Sequence, residues 1–141
     1  METRYVPQLA VLISGRGSNL AAIAEAIETG ALHARVAVVI SYRADAPGLE
    51  LARRRGMTTL VMPHGDHASR DDYDRALVTA LALYKPALIC LAGFMRRLGA
   101  GFCDAFPNAI VNIHPSLLPS FAGADAQAQA LAHGVKVSGA T

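Results

Sequence analysis

The sequence predicts an α/β fold built on a doubly wound, mainly parallel β-sheet. Two observations lead to this prediction. Short apolar runs rich in β-branched residues alternate with segments of helical period, and neither a repeat nor a low-complexity tract interrupts them. Right-handed crossovers between successive strands would then give a parallel sheet with helices on both faces. At 141 residues and 52% hydrophobic content, the chain suits one domain over residues 1–141.

The order of the predicted elements directs attention to three loops. We expect strands at residues 9–14, 34–41, 58–62, 87–92 and 110–113, and a sixth strand that opens at residues 135–141. The expected helices span residues 19–28, 47–55, 70–84, 99–106 and 124–133. Ligands of such sheets bind beyond the carboxyl ends of the strands, near the point where the strand order reverses. A site is therefore expected in the loops that follow Ser14, Ala92 and Ile113.

Composition argues against two classes of partner. Thirteen basic and eleven acidic residues leave a formal charge of +2, and no run of Lys or Arg is long enough to follow a nucleic-acid backbone. No apolar stretch approaches the roughly 20 residues that a membrane helix needs, and residues 1–7 are too short and polar for a signal peptide. We therefore expect a cytoplasmic protein that binds neither nucleic acid nor a membrane.

The cysteine and histidine spacings do not favour a metal site. Cys90 lies in an apolar run and Cys103 in a predicted helix, without Cys-x-x-Cys spacing, so we expect two buried free thiols. His64 and His67 have His-x-x-His spacing in a polar loop, but the surrounding sequence offers no third ligand. No metal is predicted.

The loop after the first strand has the pattern of an anion site. Its sequence, Gly-Arg-Gly-Ser-Asn at residues 15–19, has two glycines for a tight turn, and Ser18 or Asn19 is expected to cap the first helix. Free amides at a helix start attract phosphate. The third glycine of a dinucleotide fingerprint and the Gly-Lys-Ser of a triphosphate loop are both missing, so a sugar monophosphate is preferred. The simpler alternative is a strand-to-helix turn that binds nothing.

The end of the fifth predicted strand presents an amide and an imidazole. If the strand alternates, Asn112 and His114 point to the same side. A protonated His114 would stabilise the oxyanion of a tetrahedral intermediate, and the Asn112 amide would donate a second hydrogen bond. The pair therefore suits acyl transfer to an amine, which needs no nucleophilic Ser. The alternative is a structural histidine that a backbone carbonyl satisfies.

Taken together, these motifs resemble the glycinamide ribonucleotide formyltransferases. The resemblance covers the chain from about Leu9 to its last residue, with the motifs in family order. The matching segments are residues 15–19, Ala-Gly-Phe-Met-Arg at 92–96, Asn-Ile-His-Pro-Ser-Leu-Leu-Pro at 112–119, Ser69-Arg70 with Tyr73-Asp74, and Gly-Val-Lys-Val-Ser-Gly-Ala-Thr at 134–141. The family fold implied is a Rossmann-like sheet of the formyltransferase type.

The resemblance also implies an activity and a set of site residues. The amine of glycinamide ribonucleotide would attack the formyl group of formyltetrahydrofolate, the cosubstrate, in a purine-synthesis step without a metal. His114 would donate the proton and Asn112 would orient the formyl group. The other implied roles are phosphate binding by Gly17, Ser18 and Asn19, and folate binding by Arg70, Met95, Arg96, Arg97, Leu98 and Asn112. A monomer or homodimer is expected.

The chain departs from the family pattern in two places. Family members continue beyond the Ser-Gly-Ala-Thr stretch, and the Asp that tunes the histidine lies in that portion, so the resemblance implies a core that is incomplete at its C-terminal end and at best feebly active. The family also usually has Pro, Leu, His and Arg where this chain has Ala122, Ala124, Asp125 and Ala128. Two alternatives stay open: a formyltetrahydrofolate hydrolase and a non-catalytic ribonucleotide-binding fragment. The leading hypothesis requires that the ends of the first and fifth strands open onto one cleft.

Overall fold

A five-stranded parallel sheet is the main feature of the structure, a computed structural model that describes residues 5–141. The strand order is β3-β2-β1-β4-β5, so the order reverses between β1 and β4. The register places Ile13 opposite Ser41 and Leu12 opposite Leu91. The strands are β1 (Gln8–Ile13), β2 (Arg35–Ser41), β3 (Thr59–Val61), β4 (Leu88–Leu91) and β5 (Ile110–Asn112). The predicted α/β class with a mainly parallel sheet is confirmed.

The helices follow the strands in the predicted order. They are α1 (Ser18–Glu28), α2 (Pro47–Arg54), α3 (Arg70–Ala82), α4 (Ala100–Ala105) and α5 (Ala126–His133), with a 3₁₀ turn at His64–Asp66. Pro47 begins α2 at a position where its missing N–H costs no hydrogen bond, and Ser69 caps α3 by accepting from the Asp72 amide at 3.1 Å. No helix in the described part of the chain is long and apolar enough to cross a membrane.

Alternation along the central strands divides the core into two layers. Ala10 and Leu12 of β1 belong to a buried cluster that includes side chains of α3 and α4, among them Leu77. Val11 and Ile13 belong to a second cluster with side chains of α1 and α2, among them Leu49. Each fully buried Leu or Ile contributes on the order of 2 kcal/mol to the free energy of unfolding. Helices therefore cover both faces of the sheet, as the doubly wound prediction requires.

The chain separates into two compact units, one ending at Val111 and the other comprising Asn112–Thr141. The second unit contains an extended segment, a loop and α5, which ends at Gly134 in the left-handed conformation with φ 82°. The predicted sixth strand is wrong, because residues 135–141 are described and contain no strand. Only Thr141 makes a strand-like pair: its N–H donates to the His114 carbonyl at 2.9 Å and its carbonyl accepts from the His114 N–H at 2.7 Å.

The prediction of two buried thiols is also wrong. Cys90 is partly buried and Cys103 is exposed. The reason lies in the length of α4, which has six residues and buries only the Phe102 side chain against the sheet. Burial raises the pKa of the Cys90 thiol, which keeps it protonated at neutral pH.

Candidate functional site

The loop between β1 and α1 depends on two glycines that contact each other. Gly17 has φ +78°, a conformation that side chains disfavour, and a Cβ there would lie 2.9 Å from the Gly48 Cα atom. Gly48, near the start of α2, donates its amide to the Gly15 carbonyl at 3.0 Å. A Cβ at Gly48 would approach Ile13 at 2.7 Å. The loop is therefore held by close backbone packing, and Gly48 is a contributor that the sequence did not reveal.

The predicted capping of α1 by Ser18 or Asn19 is wrong. Ser18 is the first helical residue, and the N-cap position belongs to Gly17, which has no side chain to accept a hydrogen bond. The reason is the left-handed conformation of Gly17, which starts the helix one residue earlier than predicted. Ser18 and Asn19 are both exposed, so their side chains lie at the helix start without a capping role.

A cavity of about 300 Å³ lies at the carboxyl ends of β1 and β4. The loops after Ser14 and Ala92 both contribute to it, as the strand-end argument predicted. The Ser14 hydroxyl donates to the Gly93 carbonyl and so joins the two loops. The lining residues are Ser14, Gly15, Arg16, Gly17, Ser18, Asn19, Arg43, Ala92, Gly93 and Met95. Backbone amides at the start of α1 and two guanidinium groups make this a place suited to an anion.

Arg43 is a lining residue that the sequence analysis missed. It lies two residues beyond the end of β2, at the same edge of the sheet as the loops that were predicted. The end of β2 lies away from the reversal of strand order, where ligands of such sheets usually bind, so Arg43 fell outside the loops in which a site was expected.

In the segment after β4, which is predicted to contact folate, packed residues alternate with exposed ones. Phe94 is buried, while Met95 is 81% exposed and Arg97 is exposed. The Arg96 guanidinium lies between two tyrosine rings, 5.6 Å from the centroid of Tyr42 and 5.4 Å from that of Tyr73. Leu98 packs against the core. Of the four predicted folate-contacting side chains in this segment, Met95 and Arg97 are thus largely free to meet a ligand, whereas Arg96 and Leu98 are packed.

Two histidines flank the tyrosines that hold Arg96. His64 packs edge-on against Tyr42 at 5.6 Å between ring centroids, and His67 packs against Tyr73 at 5.3 Å. The polar loop between β3 and α3 is therefore attached to the Arg96 segment by aromatic contacts. These contacts give both histidines a packing role.

The first turns of α3 contain one predicted ligand residue and one buried acid. Arg70 is exposed at the first position of α3, where its side chain is free for a ligand. Asp74 is buried, and its Oδ2 atom accepts from the Gly99 amide at 2.7 Å, at the start of α4. This bond fixes the end of the segment that contains Arg96 and Leu98.

Two buried oxygens of α3 lack hydrogen-bond partners among residues 5–141: the Tyr73 hydroxyl and the second carboxylate oxygen of Asp74. Burial is the main reason that the pKa of Tyr73 is raised to about 12, and the nearby Arg96 charge opposes this rise. The Tyr73 hydroxyl therefore stays protonated at all physiological pH values.

The second unit holds the imidazole of His114 through its own loop. The His114 Nε2 atom lies 3.0 Å from the Phe121 carbonyl oxygen, a hydrogen bond in which Nε2 donates. This is the contact that the structural alternative for His114 expected, and it leaves the other ring nitrogen, Nδ1, as the one available for proton transfer. Asn112, at the end of β5, is exposed.

Hydrogen bonds within the second unit stabilise the segment around His114. The buried Ser116 hydroxyl donates to the Ser120 carbonyl at 2.6 Å, and the Thr141 hydroxyl donates to the Ser116 carbonyl at 2.8 Å. The Gln129 amide donates to the Ala122 and Ala124 carbonyls at 3.2 and 2.7 Å. The loop that departs from the family pattern is thus organised by its own hydrogen bonds. That the ends of β1 and β5 open onto one cleft stays a prediction.

Comparison with known proteins agrees with the fold and with the resemblance. The family described as Formyl transferase matches residues 7–141. The chain is 48% identical over 136 residues to the trifunctional purine biosynthetic protein adenosine-3 of Drosophila melanogaster, covering 95% of this chain and 10% of that protein. It is 44% identical over 126 residues to the phosphoribosylglycinamide formyltransferase of Escherichia coli K12, covering 89% of this chain and 59% of that enzyme.

The solved structures give the same result. A crystal structure of glycinamide ribonucleotide transformylase 1 from Symbiobacterium toebii superposes with a TM-score of 0.93 and 53% identity, over 96% of this chain and 64% of that one. The chain thus spans somewhat under two thirds of this transformylase and of the Escherichia coli enzyme. Since the family match extends over nearly all of its residues, the chain belongs to the formyl transferase family.

Proposed function

We propose that the chain is the catalytic core of a phosphoribosylglycinamide formyltransferase, which transfers a formyl group from formyltetrahydrofolate to the amine of glycinamide ribonucleotide. The main supporting observation is the cavity at the start of α1, where backbone amides and two arginines suit a phosphate. The relatives that bear this enzyme's name, at 44% and 41% identity, support the same choice of substrate. These small metabolites also fit the cytoplasmic location expected from the sequence.

The substrates are assigned to groups of the first unit. The ribonucleotide phosphate binds at Gly17, Ser18 and Asn19, where the exposed Ser18 hydroxyl adds a donor to the helix amides. The folate binds along α3 and the segment after β4. The residues assigned to it in this unit are Arg70, Met95, Arg96, Arg97 and Leu98. For Asn112, which belongs to the second unit, a folate contact is proposed from the family resemblance. Because the Arg96 guanidinium is held between two tyrosines, its contribution is to position the Met95 backbone and side chain.

The second unit supplies the groups for acyl transfer. The glycinamide nitrogen attacks the formyl carbon, and the carbonyl oxygen becomes an oxyanion that the Asn112 amide and the protonated His114 stabilise. The oxyanion then re-forms the carbonyl as the bond from carbon to the folate nitrogen breaks, and that nitrogen leaves as an amine with a proton from His114. The attacking nitrogen passes its own proton to the imidazole, which restores the protonated His114. Because Nε2 donates to Phe121, Nδ1 is the atom from which His114 gives its proton. None of these steps requires a metal.

Incubation of the chain with both substrates tests the proposal. We expect formylglycinamide ribonucleotide and tetrahydrofolate to form in equal amounts. Mass spectrometry and the absorbance of the folate product measure their formation. A parallel reaction without the amine isolates hydrolysis. Formate release at an equal rate in that reaction would replace the proposal with the hydrolase alternative.

The non-catalytic alternative is that the chain binds the ribonucleotide without transferring a formyl group. Calorimetry with glycinamide ribonucleotide distinguishes it: binding without any product over many hours would show a ribonucleotide-binding fragment. Failure to bind the ribonucleotide at all would reject both assignments.

A further inference from the structure

We propose that Arg43 contacts the phosphate of the substrate and determines the preference for the phosphorylated ribonucleotide over the riboside. This inference rests on the proposed function, because it names a residue of the same site. Arg43 was not among the residues assigned from the sequence, and it reaches the cavity from β2, whereas the assigned phosphate ligands come from the loop after β1.

The backbone of Arg43 is fixed by a buried serine. The Ser41 hydroxyl, at the end of β2, donates to the Arg43 carbonyl at 2.9 Å and accepts from the Arg43 amide at 3.0 Å. Ser41 has no exposed surface, so water does not compete for either bond. The start of the arginine side chain therefore has a defined position at the rim of the cavity, although its outer part is exposed.

The guanidinium group is oriented by Asp45 and still has donors to spare. Nε and Nη2 donate to the two Asp45 carboxylate oxygens at 3.1 and 2.9 Å. An arginine has five N–H groups in one plane, and this two-point contact uses two of them. The two N–H groups of Nη1 and the second of Nη2 are available for phosphate oxygens. Hydrogen bonding to Asp45 also raises the pKa of Arg43, so its charge is permanent.

The charges around the cavity favour an anion over a neutral ligand. Arg16 and Arg43 both line it, the lining residues include no Asp or Glu, and the one carboxylate paired with these arginines in the described part of the chain is that of Asp45, on Arg43. The helix start adds the partial positive charge of its free amides. A phosphate dianion can therefore accept hydrogen bonds from both arginines, whereas a riboside hydroxyl at the same place would leave the remaining N–H groups of Arg43 without an anionic acceptor.

Binding measurements with matched ligands and matched variants test the proposal. The ligands are glycinamide ribonucleotide and glycinamide riboside, and the variants are Arg43→Ala, Arg43→Lys and the control Arg54→Ala. Arg54 is an exposed arginine that pairs with Glu50 on α2 and does not line the cavity. Calorimetry gives each dissociation constant, and thermal unfolding verifies that each variant is folded.

We expect Arg43→Ala to weaken ribonucleotide binding about tenfold, as for the loss of a charge-assisted hydrogen bond, and to leave riboside binding within about twofold. Arg43→Lys should show an intermediate loss, because it keeps the charge without the planar donors. Arg54→Ala should match the unmodified chain. Equal losses for both ligands, or no loss with the ribonucleotide, would overturn the role of Arg43.

Failure of this inference can be separated from failure of the proposed function. If the unmodified chain and Arg43→Ala bind the ribonucleotide equally while Ser18→Ala binds it more weakly, Arg43 is excluded and the proposed function stands. If the unmodified chain does not bind the ribonucleotide, the proposed function falls, and ribose 5-phosphate becomes the probe. Tenfold weaker binding of ribose 5-phosphate to Arg43→Ala would then still support Arg43 as a phosphate contact, and absence of binding would reject it.

Discussion

The loop after β1 and the segment around His114 are two candidate site regions built in different ways. In the first region, the backbones of Gly17 and Gly48 are in close contact, and the Ser14 hydroxyl links the ends of β1 and β4. The core side chains around this loop are buried. In the second, the histidine ring is held by one hydrogen bond, from His114 to the Phe121 carbonyl, and both of these residues are only partly buried.

This difference in packing suits the two roles proposed for these regions, phosphate binding and proton transfer. Fixed backbone amides bind a phosphate, and a rigid, closely packed loop holds these amides in place so that the loop need not change conformation on binding. A histidine that donates a proton must instead lose and regain that proton in each catalytic cycle. Its imidazole ring is sufficiently positioned when one of its two nitrogens is held by a hydrogen bond. Changes in the first region should therefore alter folding stability, whereas changes in the second should alter turnover while the fold persists.

The largest effect is expected for His114→Ala. The rate of formyl transfer should fall at least about a hundredfold, as is usual for the loss of a positioned acid. The free energy of unfolding should change little, because the ring is only partly buried and makes one side-chain hydrogen bond. Initial rates and urea unfolding measure the two quantities. Normal turnover in this variant would remove His114 from the mechanism.

The next largest effect is a loss of folding stability in Gly17→Ala. An alanine there must adopt φ near +78° with its Cβ 2.9 Å from the Gly48 Cα atom, which should cost about 2 kcal/mol of folding free energy. Gly15→Ala is the matched control, because no described heavy atom lies within 4 Å of a Cβ built there. Urea unfolding of both variants gives the comparison. Equal stabilities would show that the loop is not set by this contact.

A smaller loss is expected for Asp74→Ala, which removes the acceptor of the Gly99 amide. A hydrogen bond to a charged group contributes about 1.5 kcal/mol or more, and the lower value applies here because the second Asp74 oxygen has no partner among residues 5–141. Asp74→Asn keeps an acceptor and should lose less. The midpoint of chemical unfolding distinguishes the two variants, and a greater loss with Asn would contradict the hydrogen-bond explanation.

The sequence was sufficient for the sheet because alternation along β1 is visible in the chain itself: Ala10 and Leu12 face one layer, and Val11 and Ile13 face the other. The loops after Ser14 and Ala92, in which a site was expected because they follow parallel strands, line a common cavity.

The errors arose where distant contacts decide the outcome. Gly17 took the N-cap position because its left-handed conformation fits against Gly48, which lies thirty-one positions further on and was not visible as a neighbour in the sequence. Residues 135–141 have strand-forming valines but only one pairing, at Thr141, and β-propensity without a neighbouring strand gives no strand. Arg43 lines the cavity from the loop after β2, where no site was expected.

The smallest effect on the free energy of unfolding, and one of opposite sign, is expected for Tyr73→Phe in the core of the first unit. The Tyr73 hydroxyl is buried without a partner among residues 5–141, so its removal at neutral pH should raise the free energy of unfolding slightly, by no more than about 0.5 kcal/mol. The difference in unfolding free energy between Tyr73→Phe and the unmodified chain should increase at alkaline pH. Because the folded-state pKa is raised to about 12 from 10, the unmodified chain loses stability as the pH rises from 10 to 12, whereas the phenylalanine variant has no such loss at this position. Unfolding free energies of both proteins at pH 7 and pH 11 measure this, and a difference that is the same at both values would show that the hydroxyl reaches water after all.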